Sequence, residues 1–440
     1  MRNIVKQHNP MNSPIHTNLK KPHLVIIGCG MACGKLLEAL IKRDAEHYHI
    51  SVIGEENTPN YNRIMLSPLL AGEITQEALI LNSLAWYEAN RITLYSGEKV
   101  IHVNTDRKSL TTDVGTELCY DHLVFATGSR PAKIPASGQH LKNIFAFRTL
   151  KDVEGILQVV HKAKKALVIG GGLLGLEAAY GLALQGVHTT VIHRSSHLLN
   201  RQLDSAAGAL LQTSMEALGV NSILNDEVAS FEGSEAVKTA TLKSGLTLSV
   251  DLVIIATGIT PEITLARQVS LACNRGIKVD DNLLTSDANI SALGECIEHK
   301  NTTFGLVAPI WDQVEILADR LIYSRQSPYV QRPSPTKLKV SGIDLFSAGD
   351  ISEKTDDQVI LIQDTASHIY RKFILRNQRL VGIVLFGDVQ GGNTYFELLD
   401  SQQPIPHLLP PLLLGDLTTH SAIAESAHLG SENDLTGATL

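Results

Sequence analysis

Three glycines in the order Gly170-x-Gly172-x-x-Gly175 carry the clearest chemistry in this chain. They follow a short apolar run, Ala166-Leu-Val-Ile169, and lead into a helical pattern and a second β-branched run, Thr189 to Ile192. Strand, glycine turn, helix and strand in that order make a βαβ unit whose turn can hold a dinucleotide. Gly170 permits the sharp turn, Gly172 lets backbone approach a pyrophosphate, and Gly175 lets the helix pack on its strand. Leu173 and Leu174 open the helix, whose first N–H groups and positive dipole end face the phosphates. The second strand ends Val191-Ile192-His193-Arg194. An NAD site ordinarily places an acid there to bind the ribose 2′-hydroxyl. With no acid, Arg194 can pair with a 2′-phosphate and a neutral His193 can hydrogen-bond a ribose hydroxyl, so both NADH and NADPH are admitted.

The unit has an echo upstream, in His23 to Gly54, where strand, Gly28-x-Gly30, helix and strand recur. Its third glycine position is Cys33, with Gly34 just after. Cys29 and Cys33 read as packing residues, because a disulfide inside this loop would distort the turn. The second strand ends at Gly54-Glu55-Glu56, and Glu55 is the acid placed to accept from a ribose diol. Arg63 lies just beyond, within Pro59-Asn-Tyr-Asn-Arg-Ile-Met-Leu-Ser-Pro68, where a guanidinium can neutralise a diphosphate. Two dinucleotide folds in one chain suggest two dinucleotides, and a protein that holds FAD and a nicotinamide together moves hydride between them.

The elements around these sites repeat as well. Residues 91–125 alternate apolar and polar, with Ile92 to Tyr95, Lys99 to Val103 and Ser109 to Thr112 expected as antiparallel strands. They lead into an apolar strand that ends Ala126-Thr127-Gly128, and Asp251 to Gly258 repeats that Ala-Thr-Gly ending. The halves therefore read as a duplication at domain scale. The expected class is α/β, with two Rossmann-like domains, one for FAD and one for NAD(P), and a small α+β C-terminal domain. The boundaries expected are a disordered leader at 1–21, a first part of the FAD-binding domain at 22–135, the NAD(P)-binding domain at 136–265 and the rest of the FAD-binding domain at 266–325. A Pro- and Ser-rich linker follows at 326–336, then the C-terminal domain at 337–403 and a flexible tail at 404–440.

Composition narrows the class. The chain has 440 residues, 44% apolar and 19% charged, as in ordinary globular proteins. A net charge of −7 argues against a nucleic-acid partner. The apolar runs fall short of the roughly 18 residues a membrane helix needs, and residues 1–21 lack the apolar stretch of a secretory signal. Five scattered cysteines give neither a disulfide framework nor a four-cysteine metal site, and a cytoplasmic compartment is expected.

Taken together, these pieces resemble the FAD-dependent pyridine-nucleotide oxidoreductases, of the glutathione-reductase-like fold type. Over residues 22 to 400 the likeness is to the flavin-bearing part of the NAD(P)H nitrite reductase large subunit and to the electron-transfer subunit of assimilatory nitrate reductase. It rests on Tyr61-Asn-Arg-Ile-Met-Leu-Ser67 with Leu70-Ala-Gly-Glu73, Asn200-Arg-Gln-Leu-Asp204, Ala292-Leu-Gly-Glu-Cys-Ile-Glu-His299 and Leu338-Lys-Val-Ser-Gly-Ile-Asp-Leu-Phe-Ser-Ala-Gly-Asp350. The resemblance implies that Gly28, Gly30, Glu55, Arg63, Ala126, Gly128 and Glu295 hold FAD, with Glu295 toward the ribityl chain. It implies that Gly170, Gly172, Leu173, Leu174, Gly175 and Gly258 hold the nicotinamide cofactor, with Glu177 beside the nicotinamide. The partner implied is an electron-accepting nitrate or nitrite reductase. A rubredoxin or ferredoxin reductase, and a flavoprotein sensor with slow turnover, stay open as alternatives. Residues 60–72 lack the cysteine pair of the disulfide reductases, and the chain lacks the cysteine clusters of an iron–sulfur and sirohaem centre. Thiol–disulfide exchange, and nitrite reduction by this chain alone, are therefore not expected.

Overall fold

The computed structural model describes residues 21–325, 327–340 and 343–405. The expected leader, apart from Lys21, and nearly all of the expected tail lie outside these residues. The first glycine turn joins His23–Ile27 to the Met31–Asp44 helix, and the chain returns through His49–Gly54. These strands belong to a five-stranded parallel sheet in the order Ile290–Ala292, His122–Phe125, His23–Ile27, His49–Gly54, Ile92–Ser96. Its strands are apolar almost throughout because the sheet is buried in one core with helices and with Val100, Val103 and Leu110 of the strands that follow it. The Ala308–Tyr323 helix, for example, packs on Met31–Asp44, tied by Arg43 to Asp319 at 2.7 Å.

The second glycine turn repeats the plan. Its parallel sheet runs Val220–Leu224, His188–His193, Lys165–Ile169, Leu252–Ile255, Ile144–Ala146. Each half also carries a three-stranded antiparallel ribbon, Val100–Asn104 to Glu117–Cys119 in the first and Val228–Glu232 to Thr247–Ser249 in the second. The chain crosses between halves where Ser129–Pro131 pairs antiparallel with Ile259–Pro261.

One expectation changes. Ile92–Ser96 is not part of the antiparallel ribbon; it pairs parallel to His49–Gly54 as the sheet's edge. A short alternating run has the same residue pattern in either setting, and only the neighbour decides. Ile144–Ala146, near the start of the segment expected for the NAD(P)-binding domain, joins the second sheet beside Leu252–Ile255.

The C-terminal part is a five-stranded antiparallel sheet in the order Thr336–Val340, Ile343–Gly349, Arg379–Phe386, Ile369–Arg376, Gln358–Asp364, with the Gly392–Ser401 helix after it. One face packs Phe346, Phe373 and Leu385 around Tyr395 and Leu398 of that helix. Leu345, Tyr370 and Phe386 from the other face join the core of the second Rossmann unit. The same core takes in Leu66, Leu69 and Leu70 from the Leu66–Ala71 helix of the first half. No helix among the described residues is long and apolar enough to cross a membrane.

His122, at the start of the interior His122–Phe125 strand, makes the fold sensitive to acid. Burial, with Arg320 and Lys108 nearby and only Asp287 opposing, pushes its pKa down to about 4. Its Nε2 lies 3.0 Å from Ser291 Oγ. The folded imidazole stays neutral while the unfolded chain takes up a proton near 6.5. Stability is therefore full above about pH 6.5 and falls toward pH 4, by roughly 3 kcal/mol at most from this group. His122→Gln should flatten that part of a pH–Tm curve, and identical slopes for the two proteins would refute the assignment.

Candidate active site

Both glycine turns open into one cleft of about 2220 Å³ that runs between the two Rossmann units and reaches Thr336 and Lys337 of the C-terminal sheet. Its wall includes Gly28, Gly30, Glu55, Arg63, Ala126, Gly128 and Glu295 on the first side. On the second side it includes Gly170, Gly172, Leu173, Leu174, Glu177, His193, Arg194 and Gly258. Gly175, expected at the cofactor, does not line the cleft. It is buried behind the turn, where an added Cβ would stand 1.9 Å from Gly170 O, so its place is helix-to-strand packing.

The decisive geometry is at Gly30 and Gly172. Each is the N-cap of its helix, neither helix has a side-chain cap, and neither has an acid in its first turn. A Cβ built on either glycine meets nothing within 4 Å. Two helix N-termini thus present unpaired N–H groups to open space in one cleft, the setting in which phosphate groups bind. Gly28 and Gly170 set this up. Their φ values of +109 and +119 suit glycine, and a Cβ would come within 2.2 and 2.3 Å of Ala126 O and Ala256 O. On the first side, Thr58 Oγ1 is buried on the cleft wall with no hydrogen-bond partner, as a group awaiting a polar ligand would be.

Charges on the first side are densely paired. Arg63 donates to Glu56 Oε1 at 2.5 Å and to Arg148 O at 2.8 Å, so its charge is matched by Glu56 before any diphosphate arrives. Tyr61 Oη donates to Glu56 Oε2 at 2.8 Å. Glu55 pairs with Lys99 at 3.0 Å and Arg130 at 3.5 Å. Glu295 accepts from Ser129 Oγ at 2.7 Å and is bound by the Arg148 guanidinium. Glu56, Ser129 and Arg148 were not singled out in the sequence. The Thr149-x-x-Asp152 capping box just after Arg148 was legible there, and would have marked a chain entry at this point.

On the second side, His193 Nδ1 accepts from Gly171 N at 3.2 Å, which leaves the proton on Nε2 to donate to Asn200 Oδ1 at 3.0 Å. Burial holds its pKa below the ordinary value, with Arg194 and His197 adding to the effect and Asn200 opposing. Both ring nitrogens are engaged within the protein, so the imidazole braces the glycine turn and has no nitrogen left for a ribose hydroxyl. Arg194 lines the cleft beside it, and so does Arg201. Glu177, on the Leu173–Leu184 helix, accepts from Ser67 Oγ at 2.7 Å. Burial raises its pKa, and the Ser67 bond opposes that.

A family model described as pyridine nucleotide-disulphide oxidoreductase matches residues 22–314. The chain belongs to that family. Residues 333–403 match a second model, the rubredoxin NAD+ reductase C-terminal domain. The nitrite reductase [NAD(P)H] of Bacillus subtilis strain 168 is 38% identical over 95% of this chain and 52% of its own length. The assimilatory nitrate reductase electron transfer subunit of the same organism is 39% identical over 88% of this chain and 50% of its own. The chain spans about half the length of these curated relatives. A crystal structure of the covalent putidaredoxin reductase–putidaredoxin complex matches with a TM-score of 0.81 at 26% identity, over 92% of this chain and 99% of that one. The cofactors of this family are FAD and NAD(P)H, and two open glycine turns in one cleft fit two dinucleotides.

Within this disulphide-named family the cysteines here have an ordinary setting. All five are free thiols. Burial raises the pKa of Cys29, whose Sγ lies 3.5 Å from Tyr87 Oη, and raises that of fully buried Cys33 far more. Thiols held protonated are poor nucleophiles. Cys29→Ser and Cys33→Ser, each with FAD bound, should keep flavin reduction by NAD(P)H within about threefold of the parent. Abolished reduction in either variant with FAD retained would show a redox role.

Proposed function

We propose that the chain is an NAD(P)H-dependent oxidoreductase that passes electrons through FAD to a separate redox protein. The observation that carries this reading is the pair of uncapped glycine helix N-termini facing one cleft. FAD, when bound, accepts a hydride from the nicotinamide and releases electrons onward. The chain's own residues supply position and charge. Gly28, Gly30, Glu55, Ala126 and Gly128 line the flavin side, and Glu295 is held in place there by Ser129 and Arg148. The Gly170–Gly172 turn, Leu173, Leu174 and Gly258 line the nicotinamide side, where Arg194 and Arg201 add positive charge. Glu177, fixed by Ser67, places a carboxyl between the two units.

The proposed acceptor is a nitrate or nitrite reductase protein, as the names of the two Bacillus relatives suggest. The C-terminal match to a rubredoxin reductase domain favours, as a second reading, a small iron–sulfur or rubredoxin-type carrier. The proposed compartment is the cytoplasm, where unpaired cysteines persist. The test is anaerobic titration of the purified yellow protein. NAD(P)H should bleach the flavin, ferricyanide should restore it through many turnovers, and nitrite alone should not. A folded protein that takes up no FAD would refute the reading, and slow single turnovers with ferricyanide would favour a sensor. Purified acceptor proteins then distinguish the two partners.

A further inference from the structure

The nicotinamide-side turn is braced by a stretch that is itself anchored outside its own domain. Gly171, between the first two glycines, donates to His193 Nδ1 and accepts from Leu199 N at 2.9 Å. A Cβ at Gly171 would stand 2.7 Å from Leu198 Cδ2 and 2.8 Å from His193 Cγ. The stretch that grips the turn, with Leu199, Asn200, Arg201 and Gln202 on the cleft wall, ends at Asp204. Asp204 Oδ1 caps the Ser205–Ala217 helix by accepting from Ala207 N at 3.1 Å. Its other oxygen reaches into the C-terminal domain. Oδ2 accepts from Tyr370 Oη at 2.5 Å and from Lys372 Nζ at 2.6 Å, both on the Ile369–Arg376 strand. The Lys372 side chain is only 5% exposed, and Nζ also bonds Glu353 at 2.6 Å.

We propose that Tyr370 and Lys372 are positioning residues for the nicotinamide dinucleotide: by holding Asp204 they keep the 199–204 stretch seated against the Gly170–Gly172 turn. The inference rests on the reading of that turn as the nicotinamide side of the cleft. A buried ammonium is costly to desolvate unless it is well paired, so the cluster tolerates few arrangements. Burial opposes ionisation of Asp204, but the Lys372 and Tyr370 bonds outweigh it and hold its pKa below the ordinary carboxylate value. Helix capping needs only Oδ1, so the Oδ2 contacts serve the contact between domains. Because the stretch braces the Gly170–Gly172 turn, the effect falls on nucleotide affinity and leaves the hydride step unchanged.

The experiment is stopped-flow reduction of the FAD-loaded full chain over a range of NADH and NADPH concentrations, for the parent, Lys372→Met and Tyr370→Phe. Lys372→Met should raise the apparent Kd for both nucleotides about tenfold, and Tyr370→Phe about threefold, with the limiting rate within about twofold of the parent and FAD content unchanged. That split separates positioning from general loosening, which would lower FAD content and limiting rate together. An apparent Kd within about twofold of the parent in both folded variants would overturn the proposal, and so would a fall in limiting rate at constant Kd. If the parent itself is not reduced by either nucleotide, the functional reading fails first and this inference fails with it.

Discussion

Gly172→Asp should weaken reduction of the flavin by NADH and NADPH alike, by about a hundredfold or more in kcat/KM, with FAD retained. Gly172 has ordinary extended φ and ψ of −86 and 178, and a Cβ there meets nothing. An aspartate fits without strain and is a good N-cap, so the helix should if anything gain stability. What it takes away is the site for phosphate. The carboxylate occupies the N–H groups at the Leu173–Leu184 helix start and repels a pyrophosphate from the open space in front of them. Losing charge-assisted bonds and adding a like charge together cost about 3 kcal/mol or more, which is the hundredfold stated. The flavin side has its own glycine turn at Gly28 and Gly30, so the yellow colour should persist. The companion Gly30→Asp should do the reverse and yield protein depleted in FAD. Unaltered kcat/KM for Gly172→Asp in a folded, yellow protein would remove this turn from the nucleotide site.

Nicotinamide preference carries the second large effect. Both cofactors should reduce the flavin, with a preference below roughly a hundredfold, or under about 2.7 kcal/mol. On the cleft wall at this strand end, Arg194 and Arg201 supply positive charge and His188–His193 itself ends without an acid, while Asp226 and Glu227 line the same wall, Asp226 N donating to His193 O at 3.3 Å. Losing a charged contact to a 2′-phosphate costs about 1.5–3 kcal/mol. Arg194→Ala should therefore depress kcat/KM for NADPH by about tenfold or more and leave NADH within about twofold. The engaged state of His193 sharpens this expectation. With Nδ1 on Gly171 and Nε2 on Asn200, the imidazole offers no compensating bond to either ribose. Equal losses for the two cofactors would show that Arg194 does not read the 2′ position.

The glycine turns were legible in the sequence because their constraints are local. Gly170 must adopt positive φ within contact of its neighbouring strand, Gly172 must leave space, and Gly175 must allow a helix to touch the turn, all within six consecutive residues. The repeated apolar strands and the paired Ala-Thr-Gly endings were legible for the same reason, since period and composition are properties of short windows. What the sequence could not show depends on partners far away along the chain. Glu295 is matched by Arg148, Glu177 by Ser67, and Asp204 by Lys372, at separations of 147, 110 and 168 residues. No periodicity links such positions, and Arg148, Ser67 and Lys372 alone read as ordinary charges or a hydroxyl. The same holds for His193, which the sequence offered as a ribose ligand and the fold uses as a brace, because a ring nitrogen's partner is set by whichever backbone the tertiary structure brings to it. Ile92–Ser96 shows the limit in its simplest form: its alternation fits an antiparallel ribbon, and only the approach of His49–Gly54 made it a parallel edge.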